Sequence, residues 1–186
     1  MSLLGRLIWI LLKRSRTPRC NPLDTLRVQS RALPHDLDLN MHVNNGRYLT
    51  FADLGRMDWF IRTGCFQVAR AQKCIPVIGD VTARFIRQLK AFDRFYVESR
   101  LLGWDQKWAY LEHKILDKHD RVAAIVVIRG MFWNKKTGGM KPQELLDATG
   151  NGHMEAPELP EWVQTWAQGL SELSERSRRE RAAGSQ

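Results

Sequence analysis

A short polar segment before the longest predicted helix contains the side chains best suited to chemistry. Two carboxylates, Asp36 and Asp38, precede that helix, and His42, Asn44 and Asn45 lie between them and its first turn. Free backbone N–H groups at a helix start stabilise negative charge on an oxygen. A carboxylate held nearby can act as a general base or as a nucleophile. Together these groups form the minimum set for hydrolysing an activated acyl group.

The spacing of the two aspartates leaves a plainer interpretation open. In an extended chain Asp36 and Asp38 would point to the same face about 6.6 Å apart, which is too far for them to share one proton. Asp and Asn are also the residues that ordinarily cap helices and turn chains. The residues alone therefore do not decide between a reaction site and a simple turn.

Motifs of other enzyme classes are absent from the sequence. It contains no GxGxxG, GxxxxGK[ST], GxSxG or HExxH, and its five histidines and three cysteines do not fall at metal-ligand spacings. Dinucleotide-binding, NTP-binding, serine-hydrolase and zinc-hydrolase functions are therefore weakly supported. Three cysteines without a CxxC pair also argue against a disulfide framework and favour a reducing compartment.

The positive charge of the chain is concentrated near its start. The 186 residues carry 29 Lys and Arg against 20 Asp and Glu, a net charge of +9. Residues 1–31 have seven basic side chains and one acidic, which leaves +6, whereas residues 32–170 have 18 basic and 16 acidic, which leaves +2. A nearly neutral body lacks the broad basic surface of nucleic-acid-binding proteins, so we expect no nucleic-acid partner.

The first 20 residues allow two interpretations. Residues 1–12 are mostly apolar and a basic run follows, but the apolar stretch is well below the roughly 20 residues of a membrane-spanning helix. Such a segment can lie on an anionic membrane surface, or it can pack on the body or on a partner subunit. We expect a cytoplasmic protein, peripheral to the inner face of a membrane under the first interpretation.

The hydrophobic pattern predicts an α+β domain. A strand over 26–33 precedes an apolar helix over 46–63 that must be covered on more than one side. Four strands follow, over 77–89, 95–102, 108–116 and 122–133, in antiparallel succession like a meander, and the last is apolar enough for burial on both faces. Such an order predicts a sheet wrapped around the helix.

Three segments divide the chain in this interpretation. Residues 1–23 form an apolar and basic leader, 24–150 the domain, and 151–186 a C-terminal helix and tail. Short helices are predicted over 141–148 and 161–173, with a solvated tail after them.

The segment from Asp36 to Arg56 also carries a family resemblance. It reads D-x-D-x-x-x-H-V-N-N-x-x-Y-L-x-x-x-D-x-x-R and resembles the signature of hotdog-fold thioesterases of the 4-hydroxybenzoyl-CoA thioesterase type. RLLGWD at residues 100–105 and PELP at 157–160 are similar to the thioesterase-superfamily-member-six proteins of animals. The resemblance implies a hotdog fold, a five-stranded antiparallel sheet around a long central helix. It also implies an acyl-CoA thioesterase that releases a free acid and CoA without a cofactor.

The resemblance assigns roles to residues of the motif. Asp38 matches the catalytic carboxylate, which would attack the thioester carbonyl or activate water, and the backbone N–H near Asn45 matches the group that polarises the carbonyl. His42 and Asn44 lie in the same turn and would orient water, with hydrogen bonding within the turn as the alternative, and Asn44 and Tyr48 are candidates for contact with the substrate. Apolar residues near these positions favour a fatty or aromatic acyl group.

Two further positions of the motif have competing interpretations. Asp53 matches an acidic helix position that is catalytic in another branch of the family, but an ion pair with Arg56 is the favoured alternative. Many relatives have glycine immediately before the histidine, where this chain has Met41. We expect that difference to affect the shape of the turn.

A basic run follows the second predicted strand. Arg84, Arg87 and Lys90, with Arg94 beyond them, are candidates for binding the phosphates of coenzyme A or a carrier-protein surface. Strand parity places Arg84 and Arg87 on opposite faces, so a solvated basic surface is the alternative.

The resemblance also implies an assembly and leaves a rival function. Relatives pair their sheets and build the active site at the subunit interface, so a homodimer or homotetramer is expected, and an exposed sheet edge would support it. The rival is a non-catalytic hotdog protein that binds acyl-CoA or acyl chains at a membrane surface.

Overall fold

The computed structural model describes residues 5, 6, 8 and 18–183. Most of the predicted leader lies outside these residues, including residues 13–17 of its basic run over 13–19. The described chain contains a single antiparallel sheet, an 18-residue helix against it, a 23-residue C-terminal helix and shorter helical segments. Their bounds are β1 Leu26–Arg31, a 3₁₀ turn Pro34–Asp36, α1 Asn45–Arg62, α2 Cys65–Ala71, β2 Ile75–Phe85, β3 Arg94–Trp104, β4 Ala109–Leu116, β5 Val122–Asn134, β6 Gly138–Met140, α3 Pro142–Asp147 and α4 Glu161–Ala183.

The strand order is β1-β3-β4-β5-β2, and β6 forms a short hairpin with β5. The expected meander is therefore correct only for β3, β4 and β5, because β2 crosses to the far edge and pairs with β5 instead of β3. The reason lies in β5, whose continuous apolar run is buried on most of its length and needs a neighbour on each side.

Helix α1 lies across the sheet as predicted. The Asn44 side chain caps its start by accepting a 2.9 Å hydrogen bond from the Gly46 N–H, and Gly64 ends it with a left-handed φ of 87°. Phe51 of the helix stacks on Phe95 of β3 with ring centroids 4.3 Å apart. A Cβ atom on Gly55 would lie 2.6 Å from a methyl group of Val97, so the helix approaches the sheet as closely as this glycine allows.

Two helical segments differ from the expectations. Helix α2 was not predicted, because seven residues are too few to show helical periodicity. Helix α4 continues to Ala183, so its predicted end at residue 173 is wrong, although the residues after 173 are almost all exposed to solvent. Its second half is exposed but is built from good helix formers with ion pairs at i,i+4 spacing, among them Arg176–Glu180.

The beginning of α4 covers part of the outer face of the sheet. Val163 is fully buried there against Leu102, Tyr110 and Val127, which form a second, smaller apolar cluster. Among the residues with described positions, no helix is long and apolar enough to cross a membrane.

Candidate active site

The loop that carries the motif is a tight hairpin held by main-chain hydrogen bonds. The Asp38 N–H donates to the His42 carbonyl at 2.8 Å, and the Asn44 N–H donates to the Asp36 carbonyl at 2.9 Å. Met41 sits at the tip with a φ of 60°, in the left-handed region where glycine is most at ease. The tip of this turn therefore favours glycine, and Met41 adopts its left-handed conformation at a steric cost.

A second segment lies against this hairpin. The Val43 N–H donates to the Leu89 carbonyl at 2.8 Å, and His42 forms an isolated bridge with Lys90. The buried hydroxyl of Tyr48 accepts from the Leu89 N–H and donates to the Arg87 carbonyl, each at 3.2 Å. Burial raises the pKa of Tyr48 above its usual value of 10.0. The hydroxyl of Tyr48 therefore fixes the chain after β2 beside the motif.

Asp36 is fully buried and engaged by two guanidinium groups. Arg6 contacts its Oδ2 at 2.5 Å, Arg47 donates to its Oδ1 from Nε at 2.8 Å and from Nη2 at 2.6 Å, and the Leu33 N–H donates at 2.9 Å. Burial alone would raise the pKa of Asp36, but the hydrogen bonds from Arg6, Leu33 and Arg47 outweigh it and hold the pKa below 3.8. Asp36 is thus an anchor of the loop, not a partner that shares a face with Asp38.

The Asp38 carboxylate is half-buried at the base of the hairpin. Its Oδ1 accepts from the Asn40 N–H at 2.8 Å and from the His42 N–H at 3.4 Å, which sets the direction of the group. At the start of the helix that follows, the Asn44 side chain accepts a hydrogen bond from the Gly46 N–H. The Asn45 N–H has no hydrogen-bond acceptor within the described chain. The hairpin therefore holds an oriented carboxylate on the loop that leads into α1. The first N–H group of that helix has no acceptor in the described chain.

The predicted basic residues are not all brought to this loop. Lys90 lies directly beside His42, and the carbonyl of Arg87 is held by Tyr48. Arg84 lies on the outer face of the sheet near Trp162 of α4, away from the motif. The structure thus separates Arg84 from Lys90, and because β2 ends at Phe85, strand parity does not govern Arg87 or Lys90.

Polar groups along α1 serve the packing of the domain. Arg56 forms an ion pair with Asp53, which was the favoured alternative to a catalytic role for Asp53. Below the helix His113 is completely buried, its Nδ1 lies 2.8 Å from the Ser99 hydroxyl, and burial lowers its pKa to about 3, so it is neutral. No group of three or more potential metal-ligating side chains occurs among the residues whose positions are described.

Arg6 and Arg47 are contributors that the sequence interpretation missed. Arg47 is inside the motif, and an arginine eleven residues after a buried aspartate offered a weak signal for the ion pair. Arg6 interrupts an apolar stretch, and a lone charge in such a stretch could have indicated that it forms an ion pair. Its partner lies 30 residues away in the sequence, and its guanidinium also lies 5.3 Å from the ring centroid of Phe51.

Comparisons with known proteins agree with this architecture. Residues 32–167 match the family model described as "Thioesterase-like superfamily". The chain is 32% identical over 180 residues to "Protein THEM6" of Danio rerio, covering 93% of this chain and 84% of that protein.

Two solved structures share the fold at low sequence identity. The YbaW probable thioesterase from Escherichia coli superposes with a TM-score of 0.62 at 23% identity, covering 70% of this chain and 99% of YbaW. A 4-hydroxybenzoyl CoA thioesterase mutant complexed with 4-hydroxybenzoyl CoA gives 0.59 at 15% identity, covering 66% and 96% of the two chains. These likenesses confirm the expected hotdog architecture.

Proposed function

Because the chain belongs to the thioesterase-like superfamily and is a thioester hydrolase, we propose that it hydrolyses acyl-CoA, with Asp38 as the catalytic carboxylate. The observation that carries this proposal is the hairpin, which orients the Asp38 carboxylate on the loop that leads to Asn45, whose N–H has no acceptor among the described residues. Further support comes from the structurally similar 4-hydroxybenzoyl CoA thioesterase, which holds an aromatic acyl-CoA.

The proposed reaction uses these groups in a defined order. The thioester carbonyl oxygen accepts a hydrogen bond from the Asn45 N–H, which stabilises the charge that develops on it. The Asp38 carboxylate either attacks the carbonyl carbon or removes a proton from a water molecule that attacks it. In both routes the carbon–sulfur bond breaks, and the CoA thiolate leaves and takes up a proton. When Asp38 acts as the base, this proton comes from the attacking water, which His42 and Asn44 orient. When Asp38 acts as the nucleophile, the acyl group is left on its carboxylate as a mixed anhydride, which a water oriented by His42 and Asn44 hydrolyses to restore the carboxylate. The products are a free acid and CoA.

The proposed acyl group is fatty or aromatic. Two apolar residues of the same hairpin, Leu39 and Met41, follow Asp38 and are exposed to solvent. Exposed apolar groups beside a reaction site suit contact with an apolar substrate or with a second subunit. A small polar acyl group would leave them without a partner.

A panel of acyl-CoA thioesters tests the proposed substrate class. Release of free thiol is measured for saturated chains of increasing length and for aromatic acyl groups, with the corresponding acyl-carrier-protein thioester as comparison. Turnover of fatty or aromatic acyl-CoA is the expected result. Binding without turnover across the whole panel would instead support a non-catalytic acyl-CoA-binding protein.

A homodimer formed through β2 is part of the proposal. This strand pairs with β5 on one side, and no strand in the described chain pairs with its other side. Its exposed apolar residues include Val77, Val81 and Phe85. An apolar, unpaired edge is a template for a second strand. Sedimentation of wild type against Val81→Lys is expected to show a dimer converted to monomer, and a monomeric wild type would exclude this interface.

Location remains a separate proposal. We propose a cytoplasmic protein whose N-terminal segment contacts the inner face of a membrane through its basic run. Arg6, within this segment, is buried against the body, so membrane contact would fall to other residues. Flotation with anionic vesicles, compared between wild type and a variant with Lys13, Arg14 and Arg16 changed to Gln, tests this. Equal flotation of both would refute the membrane contact.

A further inference from the structure

A side chain from the N-terminal segment, residues 1–23, is built into the loop before Asp38. Arg6 is only 4% exposed, and its guanidinium lies between three elements of the body. It donates to the Arg31 carbonyl at the end of β1 at 3.0 Å and contacts Asp36 Oδ2 at 2.5 Å. The ring centroid of Phe51, on α1, is 5.3 Å away. Arg6 thus joins the end of β1, the 3₁₀ turn and the central helix at one point.

The burial of this segment follows charge, and not hydrophobicity, at two of its side chains. Ile8 is 46% exposed, whereas Arg6 is almost completely buried. A buried charge is costly unless it is paired and hydrogen-bonded. The Arg6 guanidinium meets this condition through the Asp36 carboxylate and the Arg31 carbonyl. The position of Arg6 therefore depends on a specific ion pair.

The two carboxylate oxygens of Asp36 are held from different parts of the chain. Oδ2 is bound by Arg6 and by the Leu33 N–H, and Oδ1 accepts hydrogen bonds of 2.8 and 2.6 Å from Arg47 of α1. The Arg47 side chain is 28% exposed, so water and salt screen its ion pair more than the buried pair with Arg6. Arg6 is therefore the more strongly coupled of the two guanidinium groups.

Asp36 is joined to the reacting groups through the main chain of the hairpin. Its carbonyl accepts a 2.9 Å hydrogen bond from the Asn44 N–H, directly before Asn45. Two residues after Asp36, the Asp38 N–H donates to the His42 carbonyl at 2.8 Å. A displacement of Asp36 therefore moves both sides of the hairpin, and with them the Asp38 carboxylate and the start of α1.

Arg6 lies outside the part of the chain that matches the family. That match covers residues 32–167, which include Asp36, the hairpin and α1. The loop is therefore completed by a residue that the matched region does not contain. The resemblance to known thioesterases gave no reason to expect this contact.

We propose that Arg6 is a positioning residue for thioester hydrolysis, which acts through Asp36 to hold Asp38 in line with the Asn45 N–H. The inference rests on the proposed acyl-CoA hydrolysis and adds a residue that touches neither the substrate nor the reacting atoms. A misplacement of about 1 Å at a reaction site lowers the rate by about 100-fold. Loss of Arg6 therefore lowers kcat and leaves the binding of substrate largely intact.

Steady-state kinetics of the full-length variant Arg6→Gln test the proposal. Glutamine keeps a hydrogen-bonding group but removes the charge that pairs with Asp36. With an acyl-CoA that the wild type hydrolyses, kcat is expected to fall about 10- to 100-fold while KM stays within about twofold. A kcat within about twofold of wild type, or a rise in KM with kcat unchanged, would overturn the proposal.

Two control variants separate positioning from net charge and from general stability. Arg27→Gln removes one exposed arginine that pairs with Glu98, and it should keep kcat near wild type. Leu145→Ala destabilises the domain by deleting a buried side chain of α3, away from the loop, and it should also keep kcat at temperatures where it is folded. An equal fall in kcat in either control would refute a role for Arg6 in positioning.

Arg6→Lys keeps the proposal testable if Arg6→Gln does not fold. Lysine retains the positive charge but lacks the planar group that reaches Asp36 and the Arg31 carbonyl together. Its kcat is expected to fall several-fold, with KM near wild type. A wild-type kcat in Arg6→Lys would show that only the charge is needed, for folding, and the proposal would be wrong.

A double variant tests whether Arg6 acts through Asp36. Both Arg6→Gln and Asp36→Asn remove the same ion pair, so their effects should not be additive. The double variant is expected to lose no more kcat than Asp36→Asn alone. If the two losses in kcat multiply, Arg6 acts by a route that does not include Asp36, and the proposal is wrong.

Hydrogen exchange measures the position of the loop without reference to turnover. Peptides over residues 34–45 should exchange faster in Arg6→Gln than in wild type, whereas peptides from β4 and β5 should not change. If wild type hydrolyses no thioester and exchange still rises only over 34–45, the hydrolysis proposal fails and the hold of Arg6 on the loop stands. If wild type hydrolyses acyl-CoA and exchange over 34–45 is unchanged in the variant, hydrolysis stands and the role of Arg6 is refuted.

Discussion

The substitution Asp36→Asn would break the most deeply buried ion pair near the motif. The Asp36 carboxylate has no solvent exposure and the Arg6 side chain only 4%, so the variant leaves Arg6 charged, desolvated and without its counter-ion. Removing one partner of a buried pair typically costs roughly 3–5 kcal/mol, because the remaining charge is uncompensated. The control Asp120→Asn breaks an exposed pair with Arg27, where the carboxylate is 64% exposed, and should cost about 0–1 kcal/mol.

Urea and thermal unfolding of the two variants measure this difference. For a chain of this size each kcal/mol shifts Tm by roughly 2–4 °C, so Asp36→Asn should lower Tm by roughly 6–20 °C with an unchanged m-value. Replacing Arg6 with Leu in the same background should recover part of the loss, because the orphaned charge is removed. A loss for Asp36→Asn no larger than that for Asp120→Asn would refute the view that this pair anchors the loop.

The pH dependence of the same variant gives an independent check. The pKa of Asp36 is lower in the folded state than in the unfolded state, so its stabilising contribution is fully present above the unfolded pKa of about 3.9. The contribution is lost as pH falls through the folded pKa. The difference in unfolding free energy between wild type and Asp36→Asn should therefore narrow below about pH 4. A difference that stays constant there would contradict the assignment.

Three further substitutions test the packing of the domain by urea unfolding. Gly55→Ala should lower the free energy of unfolding by about 1–3 kcal/mol, because the new methyl group would clash with Val97 and the Ser99 hydroxyl. An unchanged free energy of unfolding would show that α1 can move away from the sheet without cost. Met41→Gly should raise the free energy of unfolding by up to about 1 kcal/mol, because glycine adopts the left-handed conformation without steric strain. A lower free energy of unfolding would mean that the Met41 side chain makes stabilising contacts. Because the pKa of His113 is about 3 when folded, stability should fall as pH drops below about 6.5, by up to ~1.4 kcal/mol per pH unit, and His113→Phe should lack this dependence. A His113→Phe profile parallel to wild type would contradict the neutral, buried state.

Local patterns predicted the parts of the fold that depend on neighbouring residues. The apolar spacing of α1, its cap at Asn44 and its end at Gly64 all follow from the residues themselves. The pairing of β2 with β5 could not be predicted from local patterns, because it depends on which strand needs a neighbour on both sides in the folded sheet. The continuation of α4 was missed because an exposed, charged helix shows no apolar stripe.

The candidate site shows the same division. The turn and the helix cap are local, and the Asp and Asn residues before the helix predicted both, whereas the role of Asp38 stays a prediction. The clamp of Arg6 on Asp36 is a contact across 30 residues that no spacing rule marks. Tyr48 was expected to contact substrate, and the structure shows its hydroxyl bonded to the main chain at Arg87 and Leu89. Long-range contacts of this kind became visible only in three dimensions.

The kinetic comparison of Asp38→Asn with wild type tests the central proposal most directly. Thiol release from the preferred acyl-CoA is measured for both, with Asp53→Asn as a control that changes a carboxylate paired on α1. Loss of a general base or nucleophile predicts that kcat of Asp38→Asn falls at least about 100-fold while Tm stays near wild type and Asp53→Asn keeps most of its activity. Turnover by Asp38→Asn close to that of wild type would contradict the account and remove Asp38 from the reaction.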